Sequence, residues 1–224
     1  MNWQALALTL RLSLVTAATL IVLALPLAYW VAFSRRRWKF LLQAATSLPL
    51  VMPPTVLGFY VLIAFGSSSP LGRLYERWTG HTLAFTFEGL VVGSILYSLP
   101  FAVQPLVNSF LAIEPKLIDA SRVLGASRLA TFFRVILPLS ASGIVTAIAL
   151  TFAHTFGEFG VVLMVGGDIP GVTRTISIDV FDQVQAGNYA AANVTSLVLL
   201  AVSFVILAMV YGWNRRAWPR TPWA

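Results

Sequence analysis

The residues from Leu12 to Phe33 form a run without a single charge, long enough to cross the apolar core of a bilayer. A segment in that environment has no water for its peptide groups and satisfies them within itself, as a helix. Comparable runs recur at Phe40 to Phe65, Leu90 to Val107, Leu139 to Phe156 and Ala190 to Tyr211. The composition agrees: 58% of the chain is hydrophobic and 10% charged, where a soluble domain holds roughly 45–50% and about 25%. The pattern predicts an all-α membrane protein, a polytopic bundle of five to six transmembrane helices forming one domain over residues 1–224. The second run contains Pro49, Pro53 and Pro54, so it cannot be one regular helix. The backbone groups freed there must find partners inside the bundle. Phe159 to Val165 is apolar but too short to span, and reads as a re-entrant piece or part of a sixth, broken helix. Gly66 to Thr86 reads as a polar loop. The N-terminal run lacks the short apolar core and small-residue cleavage site of a secretory leader, and is expected to stay in the mature protein.

The net charge of +7 belongs to the membrane topology and implies no nucleic-acid partner. Arg35, Arg36, Arg37, Lys39, Lys116, Arg122, Arg128, Arg134, Arg215, Arg216 and Arg220 fall on one side of the predicted spans. Arg73, Arg77 and Arg174 fall on the other, with Arg11 near the first membrane edge. The positive-inside rule makes the crowded side cytoplasmic. With five spans the N-terminus lies outside and the C-terminus inside.

One cytoplasmic segment is more than a connection. Glu114 to Gly125 reads as a short helix with a start and a stop: Pro115 suits a first helical position, Glu114 favours the positive N-terminal end, and Gly125 suits the residue after the last turn. An amphipathic run from Ala126 to Ile136 leads on to Leu137-Pro138, so the segment of interest covers 114–136. Asp119-Ala120-Ser121, three residues, Gly125, nine residues, Val135, one residue and Leu137-Pro138 resembles the EAA motif of ABC-importer permeases. Asp119, Ser121 and Val135 depart from its Glu, Ala and Ile, but keep chemical type or size. Leu48 to Gly58, with its Pro-Pro-Thr, and Phe156-Gly157-Glu158-Phe159-Gly160 resemble permeases for tetrahedral oxyanions. Ile169 to Thr175 and Leu71 to Trp78 resemble the molybdate branch of that group, with the sulfate, thiosulfate and tungstate permeases as near neighbours.

The resemblance implies a type I importer. Its EAA segment would be the coupling helix that docks on an ATPase, placing Glu114, Asp119, Ala120, Ser121, Arg122, Gly125, Leu137 and Pro138 in that role. Two copies of this chain, two ATPase subunits carrying ATP and Mg, and an oxyanion-binding protein outside the bacterial inner membrane complete the implied assembly. The chain itself has no GxxxxGK[ST] loop, so ATP hydrolysis is expected on a separate subunit and no cofactor on this one.

A translocation pathway needs irregular or polar groups at membrane depth. Pro49, Pro53, Pro54 and Thr55 offer broken backbone; Ser98, Gln104 and Asn108 offer hydroxyl and amide groups. Glu158 ends the fourth span, one turn after His154, and is expected to make a structural or gating hydrogen bond, since a bare carboxylate would repel an anion. His154 has no second ligand at metal spacing, and neither a nucleophile–base pair nor an HExxH motif is present, so neither a metal site nor catalytic residues are expected. A membrane-embedded enzyme would need such a constellation. A secondary transporter would need midplane charges or inverted repeats.

Overall fold

The computed structural model describes residues 1–217, with side chains to residue 212; Arg215, Arg216 and Arg220 of the charge count fall outside the described side chains. Helix α1 runs from Trp3 to Phe33, further toward the N-terminus than the charge-free run, so Arg11 lies within it, its guanidinium over the Phe87 ring at 4.4 Å. Helices α2 (Lys39–Ser47) and α3 (Pro54–Phe65) are joined by a 3-10 turn at Leu48–Leu50. The two halves bend by 111° at the proline cluster.

The segment read as a polar loop carries a helix, α4 (Pro70–Thr79). Its start and stop signals are local: the Ser69 hydroxyl accepts from the Gly72 N–H at 2.8 Å, and Gly80 ends it with φ of +80°. Helix α5 (Phe87–Leu111) continues through Pro100 and Pro105. Then come α6 (Pro115–Val123), α7 (Arg128–Thr131), a π-helical turn at Phe132–Ile136, α8 (Leu137–Leu139) and α9 (Ala141–Phe156). Helices α10 (Gly160–Gly166) and α11 (Ile176–Gln185) precede α12 (Tyr189–Ala217). Among the described residues, three helices are each long and apolar enough to cross a membrane, and two bent pairs would each pass together.

The bundle is built on α1, α5 and α9. Their contact surfaces carry small residues, Ala24 and Ala28 on α1, Ala102 on α5 and Ala147 on α9, all fully buried. In lipid, apolar side chains gain little by leaving the solvent, so close backbone approach through small residues supplies the packing. Gly143 shows how close: a Cβ there would sit 2.3 Å from Ser109 Cβ on α5. The short apolar run at 159–165 forms most of α10, whose Val161, Val162 and Val165 are buried against α3 and α5. With both sides covered, it needs no amphipathic period; the stretch is helical, as one of its two readings, part of a broken helix, requires.

Candidate functional site

Within the segment 114–136, α6 is anchored at one side and bare at the other. Pro115 takes the first position of α6, where a missing N–H costs nothing. The helix closes in a Schellman turn. The Ala126 N–H donates to the Ser121 carbonyl at 3.0 Å and the Gly125 N–H to the Arg122 carbonyl at 2.9 Å, with Gly125 at φ +82°. A Cβ on Gly125 would meet nothing within 4 Å, so the backbone conformation alone selects glycine.

Ile118 points inward and joins the main core cluster with Ile113 and Ile136. Ser121, where the resembled motif has alanine, shares a hydrogen bond of 2.9 Å with the Thr131 hydroxyl, tying α6 to α7. Ala120, Asp119 and Arg122 are exposed, the last two paired at 3.4 Å. Glu114 is the N-cap but makes no side-chain cap bond, and pairs instead with Lys116 at 3.5 Å. Both ion pairs are solvent-exposed and contribute little to stability.

Leu137-Pro138 has a mechanical consequence. Proline at 138 removes a donor and crowds the carbonyl one turn back. The chain widens there into the π turn, in which the Leu137 N–H reaches the Phe132 carbonyl. Beyond Leu139 the path bends by 71° into α9. The helix α6 is therefore attached to α5 directly and to α9 through a defined bend.

A cavity of about 910 Å3 lies alongside. Pro100, Phe101, Gln104, Pro105 and Asn108 of α5 face Ser142 and Thr146 of α9, and the cavity ends at Leu117 of α6 and at Glu114, its N-cap. Its lining has one charged residue, Glu114, and no Lys or Arg. Gln104 also donates to the Ser47 hydroxyl at 3.2 Å, linking α5 to α2.

The other residues singled out in the sequence lie elsewhere. Pro49 is buried in the 3-10 turn, and Pro54 packs against Gly160 of α10, where an added Cβ would come within 2.7 Å of it. Pro53 and Thr55 are exposed beside the break. Ser98 is buried, 2.9 Å from His154 Nδ1 and 3.0 Å from the Thr155 hydroxyl. The His154 ring lies between Tyr97 and Phe101, with centroids 4.8 and 4.0 Å away. That is a hydrogen-bonded bundle histidine. Among the described residues no group of three His, Cys, Asp or Glu comes together to hold a metal.

Glu158 departs from the expectation of a side-chain hydrogen bond. It is 5% exposed, and neither carboxyl oxygen has a hydrogen-bond partner. The Ser94 hydroxyl faces it without closing a bond. What ties this residue is its backbone carbonyl, which accepts from the Ser177 hydroxyl. Arg174, placed on the outer side by the charge count, is engaged as well. Its Nη2 donates to Asp168 Oδ2 at 2.8 Å, its Nε to Oδ1, and Asp182 lies 3.5 Å away. This guanidinium holds the Asp168 carboxyl below the usual carboxylate range.

Two residues of the segment escaped the sequence reading. Val123 and Leu124 end α6 with 88% and 87% of their surface exposed. The available signal was an apolar pair placed directly before the glycine stop. On a helix whose inward residue is already Ile118, that pair has to face out.

The chain is a polytopic helical bundle with a short helix anchored on one side and a groove running to that helix's base. It has the build of a membrane transport subunit rather than of an enzyme. Residues 21–220 match the family of binding-protein-dependent transport system inner membrane components, and the chain belongs to that family. Among its relatives, the molybdenum transport system permease protein ModB of Azotobacter vinelandii is 47% identical over 94% of this chain and 93% of that protein. ModB of Escherichia coli K12 is 35% identical over 92% and 91%. The fold is shared with the MetNI methionine ABC transporter in its inward-facing conformations. That match has a TM-score of 0.74, covers 98% of this chain and 97% of that one, and is 18% identical.

Proposed function

We propose that this chain is the permease of an ATP-driven importer whose solute is a tetrahedral oxyanion, molybdate. The choice of solute is supported by the relatives named for molybdenum transport. In this reading two copies of the chain enclose the pathway, two ATPase subunits binding ATP and Mg sit below, and an external binding protein delivers the anion. The bundle crosses the inner membrane five times, with the N-terminus outside and the C-terminus cytoplasmic. Asp119, Ala120, Arg122, Val123 and Leu124 form the docking face. Ser121, Gly125, Leu137 and Pro138 hold its shape and set its attachment.

The single observation behind the coupling role is the two-sidedness of α6: Ile118 in the core and the 87%-exposed Leu124 at the tip. An apolar tip projecting from the membrane face calls for a groove on a partner. When ATP draws the two ATPase subunits together, a helix held this way moves as a lever and carries α5 and α9 with it. The groove beside those helices, with Gln104 and Asn108, then opens to the other side. It offers amides, hydroxyls and backbone but no cation. A doubly charged anion therefore passes without being held, as release requires.

The chain has no cysteine, so a single cysteine at Leu124 reports its neighbours. In membranes containing the ATPase, that cysteine should cross-link to the ATPase, while one at Trp78 on α4 should not. Cross-linking from Trp78 with none from Leu124 would reverse the proposed orientation.

A further inference from the structure

A second cavity, of about 820 Å3, opens where the end of α1 meets the turn after α6. Tyr29, Trp30 and Phe33 line its wall, and Arg35, Arg122 and Arg128 stand at it with no carboxylate among the lining residues. Arg122 is shared with Asp119, but Arg35 and Arg128 make no ion pair among the described residues. The wall continues into an aromatic cluster: the Trp30 ring is 5.0 Å from Trp38, over which Arg36 lies at 5.6 Å. Tryptophan and tyrosine at the end of an apolar span sit at headgroup level. Guanidinium groups are the side chains suited to grip phosphate by paired N–H donors. The cavity thus combines a guanidinium rim with an aromatic wall at the end of the first span.

We propose that this cavity binds the phosphate of an anionic phospholipid from the leaflet on the α6 side. The rim arginines left unpaired, Arg35 and Arg128, stand at the end of α1 and the start of α7, so a bound headgroup bridges the first span to the coupling segment. The leaflet's charge would then bear on the lever's freedom to move. This rests on the membrane reading and the family, and not on which solute is carried.

The test is native mass spectrometry of the permease–ATPase complex in nanodiscs of equal phosphatidylglycerol and phosphatidylcholine. Both leaflets carry the same lipids, so the outcome does not depend on orientation. The comparison is wild type, Arg35→Gln/Arg128→Gln, and Arg73→Gln/Arg77→Gln, which removes the same charge from α4. Wild type and the α4 variant should retain phosphatidylglycerol selectively. In the rim variant retention should fall about twenty-five-fold, about fivefold for each arginine near a charged surface. Equal retention of both lipids by all three proteins overturns the proposal. So does release of the ATPase by the rim variant, which would assign the arginines to that partner. Displacement of the lipid by millimolar inorganic phosphate, with stabilisation of the lipid-free complex, would assign the site to a free anion and overturn the lipid reading.

Discussion

Gly125 offers the sharpest test of the coupling helix, because the structure isolates one cause. Its φ is +82°, and an added Cβ would meet nothing within 4 Å. Substitution therefore costs backbone strain and little else. For an ordinary L-residue the left-handed region costs roughly 1–2 kcal/mol; asparagine, which tolerates it, should cost less, and a β-branched residue more. A penalty of that size shifts the equilibrium between closed and frayed turn by roughly 5–30-fold. The frayed form loses the two terminal bonds from Gly125 and Ala126, and with them the fixed position of Val123 and Leu124. The assay is ATPase stimulation and anion uptake in proteoliposomes holding the complete transporter, with expression and assembly measured alongside. Coupling should decline in the order Gly, Asn, Ala, Val. Wild-type coupling in Gly125→Val would refute the role of the turn. Equal damage by asparagine and valine would refute the backbone argument, since it would point to side-chain volume in a contact the isolated chain does not show.

Further expectations follow from the same geometry. Leu124→Asp should weaken the ATPase–permease complex by tenfold or more, since burying a leucine contributes about 1.5–3 kcal/mol; co-purification at graded salt measures it, and unchanged affinity would exclude this tip from the interface. Glu158→Gln keeps the shape and removes any charge from a site without partners, so its melting temperature should equal or exceed wild type, whereas a marked drop would mean that the carboxylate has a counter-charge in the assembly. Arg174 lowers the Asp168 pKa, so this pair's contribution is present above the unfolded-state value near 4 and lost as pH falls through the lower folded-state value. Arg174→Gln should melt below wild type at pH 7, and the gap should narrow as pH falls below about 4 and vanish below the lower folded-state value; a gap that stays constant across that range would show that the arginine acts through packing. The purified permease–ATPase complex should show no submicromolar molybdate affinity by calorimetry without the external binding protein, and tight binding would require a cationic site that the groove lacks.

The parts of this molecule legible in its sequence are those specified locally. The apolar runs announce their helices through length, and Pro115 and Gly125 announce the ends of α6 through backbone preference. The broken second span follows from proline's missing donor, although the angle of the break does not. What was illegible depends on placement in three dimensions. Helix α4 was hidden in a polar stretch, although Ser69-Pro70 and Gly80 bracket it. The eventual partner of Gln104 is a serine on another helix, and the isolation of Glu158 depends on what α5 and α10 place around it. Pro49 and Pro54, picked for broken backbone, and Ser98, Gln104 and Asn108, picked for polar side chains, were candidates for one pathway, yet of these only Gln104 and Asn108 line the large groove. Residue type marked them as a group; packing divided them.

The central claim is that this chain passes molybdate under the control of ATP. Its most direct test is uptake of radiolabelled molybdate into proteoliposomes containing the permease and its ATPase, with the loaded binding protein on one side and ATP on the other. The account predicts accumulation that requires both ATP and the binding protein, that survives an excess of sulfate, and that stops in Asp119→Lys. Uptake without ATP, or uptake driven equally well by Asp119→Lys, would contradict it.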